Sequence, residues 1–353
     1  MEEIRYQQDY ETFIACVKPH AAPMVLERKY GDCKDKAVLF IELAKKLGLE
    51  AHFALVRTRD AGPANVDVPM QQFNHAIVYI PEQPGVAAGR FFDPTAELLD
   101  LDSVRTDDVG TRSLVYDPQG QSHTWRDIPY QGPEANRERT VLKLSMEKDG
   151  SAKGTLTLEA VGRSGSTIRR MTRNEEVFSQ ASQRLAMMLV PNATAANVKA
   201  VEAKSLREPA VVRMDFEARS LARPECDALR LKIPTDFSAR MYFPLASRRH
   251  PLVLGAPTQF QVDVELTLPE GTVVTRAPAS GKIELPCLAL ERQVKTEGRT
   301  VTSHQSFRIT CERITAAEYS TYRARADEMT RLLDDELVIG PEPAPKKLPA
   351  QKR

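Results

Sequence analysis

The chain has 353 residues, 42% of them hydrophobic and 27% charged, with a formal net charge of +1. That length favours two domains over one, and the near-neutral balance leaves no electrostatic footprint for a nucleic acid or an acidic membrane surface. The five cysteines, at positions 16, 33, 226, 287 and 311, are too few and too scattered for a disulfide framework or a CxxC metal knuckle. No run of about 18 apolar residues offers a membrane span. The opening "MEEIRYQQDYETF" is charged and lacks the apolar core of a signal peptide.

In chain order, residues 1–117 alternate helix and strand. A helix over 33–47, apolar nearly all round, is followed by the β-rich runs "AHFALVR", "FNHAIVYI" and "RFFDPT", with a polar, Pro- and Gly-bearing loop over 58–72. Residues 118–138, rich in proline and glycine, predict a linker. From 139 to 314 the pattern becomes alternating apolar and polar, as in a mostly β, sandwich-like domain. Asp149-Gly150 marks a hairpin turn and 166–190 an inserted helix. Alternating runs follow at 209–219, 227–233, 258–268, 281–291 and 299–311, and "DVELTLPEGTVV" predicts strand–turn–strand. A final helix is expected at 315–336, and the Pro- and Lys-rich stretch 337–353 reads as a disordered tail.

Gly31-Asp32 breaks the chain before the first long helix. Asp32 is a suitable N-cap, Asp35 stands at the third helical position, and Gly48 closes the helix. Cys33 then falls in the first turn, where unpaired N–H groups and the macrodipole favour the thiolate form of a cysteine. Ala37, Ile41 and Ala44 follow on the same face, with Val38 and Phe40 beside it, which predicts a buried helix. By itself this also describes a small core residue, because free cysteines are among the most buried residue types. His75 opens a strand, and Asp93 follows 18 residues later in "FFDPTAE". Neighbouring antiparallel strands would bring an imidazole and its carboxylate partner together, as a nucleophile's base requires.

The segments Tyr30-Gly31-Asp32-Cys33-Lys34-Asp35-Lys36-Ala37, Asn74-His75-Ala76 and Phe92-Asp93-Pro94-Thr95, in this order, resemble the transglutaminase-like superfamily. This is a papain-related fold whose members use a Cys-His-Asp triad; the "YGDCKDKA" motif resembles its bacterial branch. The resemblance covers roughly residues 4–117. The β-rich half resembles the companion domain of unknown function that often follows. It implies an α+β fold, a nucleophile helix packed on an antiparallel sheet, with Cys33 as nucleophile, His75 as general base and Asp93 as its orienting partner. It also implies one oxyanion donor at the Cys33 backbone N–H and a second from upstream. Family members carry further N-terminal elements before "IRY", so the catalytic domain is expected to be truncated here. The compartment is left open.

The implied activity is cysteine-dependent acyl transfer on protein or peptide amides through a thioester, ending in transamidation or in hydrolysis as by a cysteine peptidase. The competing expectation is a non-catalytic binding or scaffolding protein that keeps the fold. The short N-terminus and a β half without visible chemistry favour the latter; three triad residues in order argue against it. The expected partner is a protein or peptide substrate, with no nucleic acid, cofactor or metal; the oligomeric state is open. Asp35 is expected to cap or pair locally, Lys34 and Lys36 to be solvated, and Trp125 to dock the linker on a domain, with a substrate-cleft wall as the alternative. Cys16 reads as a core thiol, and His20, His52, His123, His250 and His304 lack metal-ligand spacing.

Overall fold

The structure is a computed structural model that describes residues 3–8, 18–100, 102–117, 121–201 and 205–343. Cys16 lies outside the described residues, as do 118–120 of the expected linker and 344–353 of the expected tail.

The first half begins with β1 (Arg5–Tyr6), α1 (Ala22–Arg28), β2 (Tyr30–Gly31) and α2 (Cys33–Lys46). β1 and β2 pair in parallel, Arg5 opposite Tyr30, so the "IRY" segment lies directly against the approach to the cysteine. β3 (His52–Val56), β4 (His75–Ile80), β5 (Arg90–Phe92), β6 (Arg112–Asp117) and β7 (Ser122–Asp127) follow. They form a five-stranded antiparallel sheet in the order β5-β4-β3-β6-β7. α2 packs on this sheet through Ala37 and Ala44 against Ala51 and Val78.

Residues expected to form a linker therefore supply an edge strand. β7 pairs with β6 from Arg112–Asp127 to Asp117–Ser122. Only Trp125 of this strand is partly covered, and a solvated edge strand carries the polar composition that reads as linker.

The second half holds β8 (Arg137–Met146), β9 (Ala152–Ala160), α3 (Gly162–Met171), α4 (Glu175–Leu189), β10 (Ala193–Val201) and β11 (Ala210–Ala218). Next come β12 (Arg223–Glu225), β13 (Ala228–Leu231), β14 (Leu252–Val253), β15 (Thr258–Thr267), β16 (Thr272–Arg276), β17 (Gly281–Glu284), β18 (Leu288–Glu297) and β19 (Thr300–Ile309). β20 (Arg313–Ile314), α5 (Tyr319–Asp334) and β21 (Leu337–Pro341) complete it. An eight-stranded sheet runs β10-β11-β9-β8-β15-β19-β18-β17, and a four-stranded one β12-β13-β21-β16. One large core joins both sheets and α5, whose Tyr319, Tyr322, Ala326, Met329 and Leu333 recur at helical spacing on its buried face.

The hairpin at Asp149-Gly150 forms as expected: Gly150 adopts φ 85°, a left-handed conformation that costs glycine little, and Glu147 N–H donates to Ser151 O. Four local expectations change. The helix expected at 166–190 is two helices, because Asn174 breaks the run and caps α4 by accepting from the Val177 N–H. The strands of "DVELTLPEGTVV" part into different sheets, β15 in the larger and β16 in the smaller. Leu337–Pro341 of the expected disordered tail is a strand, held between β13 and β16. Cys287 and Cys311 form a disulfide that links the approach to β18 with the exit from β19.

Ile77, fully buried in β4, tests the placement of the first sheet. Ile77→Ala is expected to cost about 2–5 kcal/mol in urea unfolding; a loss within experimental error would mean that β4 is not a central strand.

Candidate active site

Cys33 is the first residue of α2, and the cap that sets it there is a reciprocal pair. The Asp32 side chain accepts from the Asp35 backbone N–H, and the Asp35 carboxylate accepts from the Asp32 N–H. Asp35 also accepts from the His20 backbone N–H at 2.8 Å and meets His20 Nδ1 at 3.1 Å. Those bonds outweigh burial and hold its carboxyl below the usual range. The lysines beside the cysteine are buried rather than solvated. Lys34 pairs with Asp32, and Lys36 Nζ donates to the Ile4 carbonyl at 2.9 Å, tying the helix to the segment before β1. Each amine finds an oxygen, which offsets part of the cost of its burial, and burial lowers the pKa of Lys36. The second half of α2 is largely exposed, so the helix is buried mainly over its first turns.

His75 opens β4 opposite Val56 of β3. Asn74 fixes that register: its N–H donates to the Val56 carbonyl, its amide donates to Thr58 Oγ1, and its amide oxygen accepts from the Thr58 N–H. Asp93 follows β5 in a turn closed by its own side chain, which accepts from the Thr95 N–H and hydroxyl. The Asp93 loop is held from the second half as well. Ser166 Oγ of α3 donates to the Glu97 carbonyl at 2.8 Å, and Arg169 donates to the Leu98 carbonyl at 3.2 Å.

The structure brings Cys33, His75 and Asp93 together. His75 Nε2 lies 3.0 Å from Asp93 Oδ2, and Cys33 lines the same cleft as His75, near enough to act on the imidazole. His75 is 7% and Asp93 1% exposed, while Cys33 is half-buried at the wall of a cleft of about 760 Å³. Tyr6, Val38, Phe53, Leu55, Phe73 and Tyr116 also line that cleft. Burial by itself would lower the pKa of His75, but the hydrogen bond to Asp93 and the neighbouring Cys33 side chain, with the charges of Asp93 and Asp108, raise it to about 10. Burial would raise that of Asp93; the bond and charge of His75, with Arg105 and Thr95, bring it below the usual carboxylate range. Tyr6 is pushed up, by burial first and then by the negative charges of Cys33 and Asp32.

Sequence reasoning missed Asp108. It is fully buried, and its Oδ2 stands 4.0 Å from His75 Nε2. Burial and the Asp93 charge push its carboxyl up to about 8. It sits in an irregular loop that no periodicity marks. Arg105 was missed for the same reason; its Nε lies 3.6 Å from Asp93 Oδ2. Trp125 packs on Phe73, with ring centroids 5.9 Å apart, so it backs the cleft rather than docking a linker. Of the scattered histidines, His52 meets Glu50 and His304 meets Asp263. Ligand atoms of His75, Asp93 and Asp108 lie within 4.8 Å of one another, a donor set that can hold a metal ion. Arg105 already supplies positive charge to that set.

Residues 231–339 match a domain of unknown function for which a structure has been solved, DUF3858. A crystal structure from Parabacteroides distasonis, described as a putative protease, aligns with a TM-score of 0.50 at 14% identity, covering 90% of this chain and 46% of that one. The chain thus spans under half the length of that protein, and at this identity the likeness carries the fold alone. It agrees with the α+β class and with a helix-and-sheet half followed by a β-rich half. No curated protein matches. Among the described residues, no helix is long and apolar enough to cross a membrane.

His75 gives the site a pH signature. Its pKa in the folded chain, about 10, lies above the ordinary 6.5, so the folded state holds a proton that the unfolded state has lost between those values. The stability this contributes is full below pH 6.5 and lost as pH rises through 10. Chemical denaturation at pH 6.5 to 10 is expected to show this loss in the wild-type chain and a flatter profile in His75→Gln. Equal slopes in the two chains would show that His75 is not held protonated.

Proposed function

We propose that the chain is a cysteine-dependent acyl-transfer enzyme acting on protein or peptide amides. The observation that carries this reading is the His75–Asp93 hydrogen bond with Cys33 beside it at the wall of an open cleft. The description of the Parabacteroides distasonis structure supports it, as do the family motifs around the three residues.

In this mechanism the reacting form is a Cys33 thiolate beside the protonated His75, and Asp93 holds the ring by Nε2 and stabilises the imidazolium. With Nε2 engaged, Nδ1 is the nitrogen that serves the thiol. The thiolate attacks the carbonyl carbon of the amide. The Cys33 backbone N–H, at the start of α2, is one donor to the developing oxyanion. The Tyr6 hydroxyl, on the same cleft wall and kept protonated, is the upstream one. As the C–N bond breaks, His75 hands its proton to the departing amine or ammonia, leaving a thioester on Cys33. Water or a second amine then attacks the thioester and loses a proton to His75, the C–S bond breaks, and the thiolate returns. Water gives hydrolysis; an amine gives transamidation.

Incubation of the full chain with a mixed peptide library and a fluorescent primary amine, read by mass spectrometry, tests this. Cleaved peptides or amine-labelled glutamines are expected, with a loss of at least about 100-fold in His75→Ala and complete loss in Cys33→Ala. Turnover that survives in Cys33→Ala would defeat the reading. A folded wild-type chain with no turnover at all would favour the scaffolding alternative.

A further inference from the structure

A second cavity, of about 480 Å³, lies in the other half of the molecule, between α3, α4 and the eight-stranded sheet. Close-packed interiors leave few voids larger than a water molecule, and this volume is within the range of small-molecule sites. Its origin is local. α4 lines the cavity with the small residues Ala181 and Ser182, and the Ser182 hydroxyl donates back to the Phe178 carbonyl of its own helix at 2.8 Å. Ile168 and Met171 of α3, Met214 of β11 and Phe260 of β15 make the rest of the wall largely apolar.

One acid interrupts that wall. Glu138 of β8 stands opposite Phe260 in the sheet, half-buried, and its carboxylate accepts from Ser164 Oγ of α3. Among the described residues it forms no ion pair. Arg163 also lines the cavity, but it is exposed, so water and salt screen its charge. The Tyr242 ring lies on the same wall; burial first, and then the Glu138 charge, push its pKa up. A carboxylate without a cation, set among apolar and aromatic side chains, selects an ammonium carried on an apolar body. The carboxylate answers the charge, neighbouring aromatic rings attract a cation, and the apolar wall takes the hydrocarbon.

We propose that this cavity is a binding site for small apolar amines, with Glu138 holding the ammonium and the walls from α3 and α4 holding the hydrocarbon. The site is separate from Cys33 and does not depend on the acyl-transfer reading. It adjoins the first half through α3, whose Ser166 and Arg169 hold the Glu97 and Leu98 carbonyls beyond Asp93. Thr106, next in sequence to Arg105, lines it as well.

The test is a titration of the full chain at pH 7 with octylammonium, octan-1-ol and octanoate, read by NMR of the methionine methyl groups. Met171 and Met214 line the cavity, and Met329, buried on α5 outside it, is the internal reference. Octylammonium is expected to shift Met171 and Met214 saturably, with Met329 unmoved, and to bind at least about 10-fold more tightly than octanoate. Glu138→Gln is expected to weaken octylammonium about 10- to 100-fold, the loss of one hydrogen bond between charged partners, and to leave octan-1-ol unchanged. No saturable shift of Met171 and Met214 overturns the proposal, as does a Glu138→Gln chain that binds octylammonium as tightly as the wild type. Should the variant not fold, the wild-type series decides: octanoate bound as tightly as octylammonium overturns the assignment. Because binding is read at Met171 and Met214, the result stands whether or not Cys33 turns over.

Discussion

The hydrogen bond between His75 Nε2 and Asp93 Oδ2 is the contact around which the first half of the molecule is arranged. A carboxylate 1% exposed survives burial only if its charge is answered, and here one imidazole, one guanidinium and a threonine answer it. The same bond orients the imidazole and leaves its other nitrogen free of Asp93, in the cleft that the half-buried thiol at the N-terminus of α2 also lines. Each partner rests on its own local device: a capping box for Cys33, the Asn74–Thr58 bonds for His75, and the Thr95 turn for Asp93.

The second half contributes to that arrangement from outside. Ser166 and Arg169 of α3 hold the carbonyls of Glu97 and Leu98, just beyond the Asp93 turn. Glu312 accepts a hydrogen bond from Tyr130 and lies 3.8 Å from Arg59. A β-rich half without visible chemistry thus has a physical connection to the site: it fixes the loop that carries the carboxylate. That gives the large sheet a reason to be present beside the cleft, and it weakens the argument for a mere scaffold that rested on the sheet's lack of reactive groups.

What was legible in the sequence is what local rules encode. Asp32, Cys33 and Asp35 announce a capped helix at i and i+3, and "FNHAIVYI" has the β-branched density of a strand. The Asp149-Gly150 turn is equally local. What was illegible depends on pairing at a distance. β7 is defined by its register with β6, and β21 by two strands over sixty residues upstream of it. Lys34 and Lys36 looked solvated because their partners, a cap carboxylate and the Ile4 carbonyl, become neighbours only after folding. Asp108 and Arg105 lie in a loop with no period, and the tertiary fold alone carries them to the His75 edge. The disulfide was hidden likewise, since two spaced cysteines do not name their partners.

The central claim, that His75 activates Cys33 as an acyl-group acceptor, has a built-in control in Cys226, an exposed free cysteine far along the chain. Brief exposure of the full chain to an activated ester at pH 7, followed by peptide mapping, measures where acyl groups land. The account predicts fast acylation of Cys33 over Cys226, with the Cys33 rate reduced by about 100-fold or more in His75→Ala. Acylation that favours Cys226, or a Cys33 rate indifferent to the loss of His75, would contradict it.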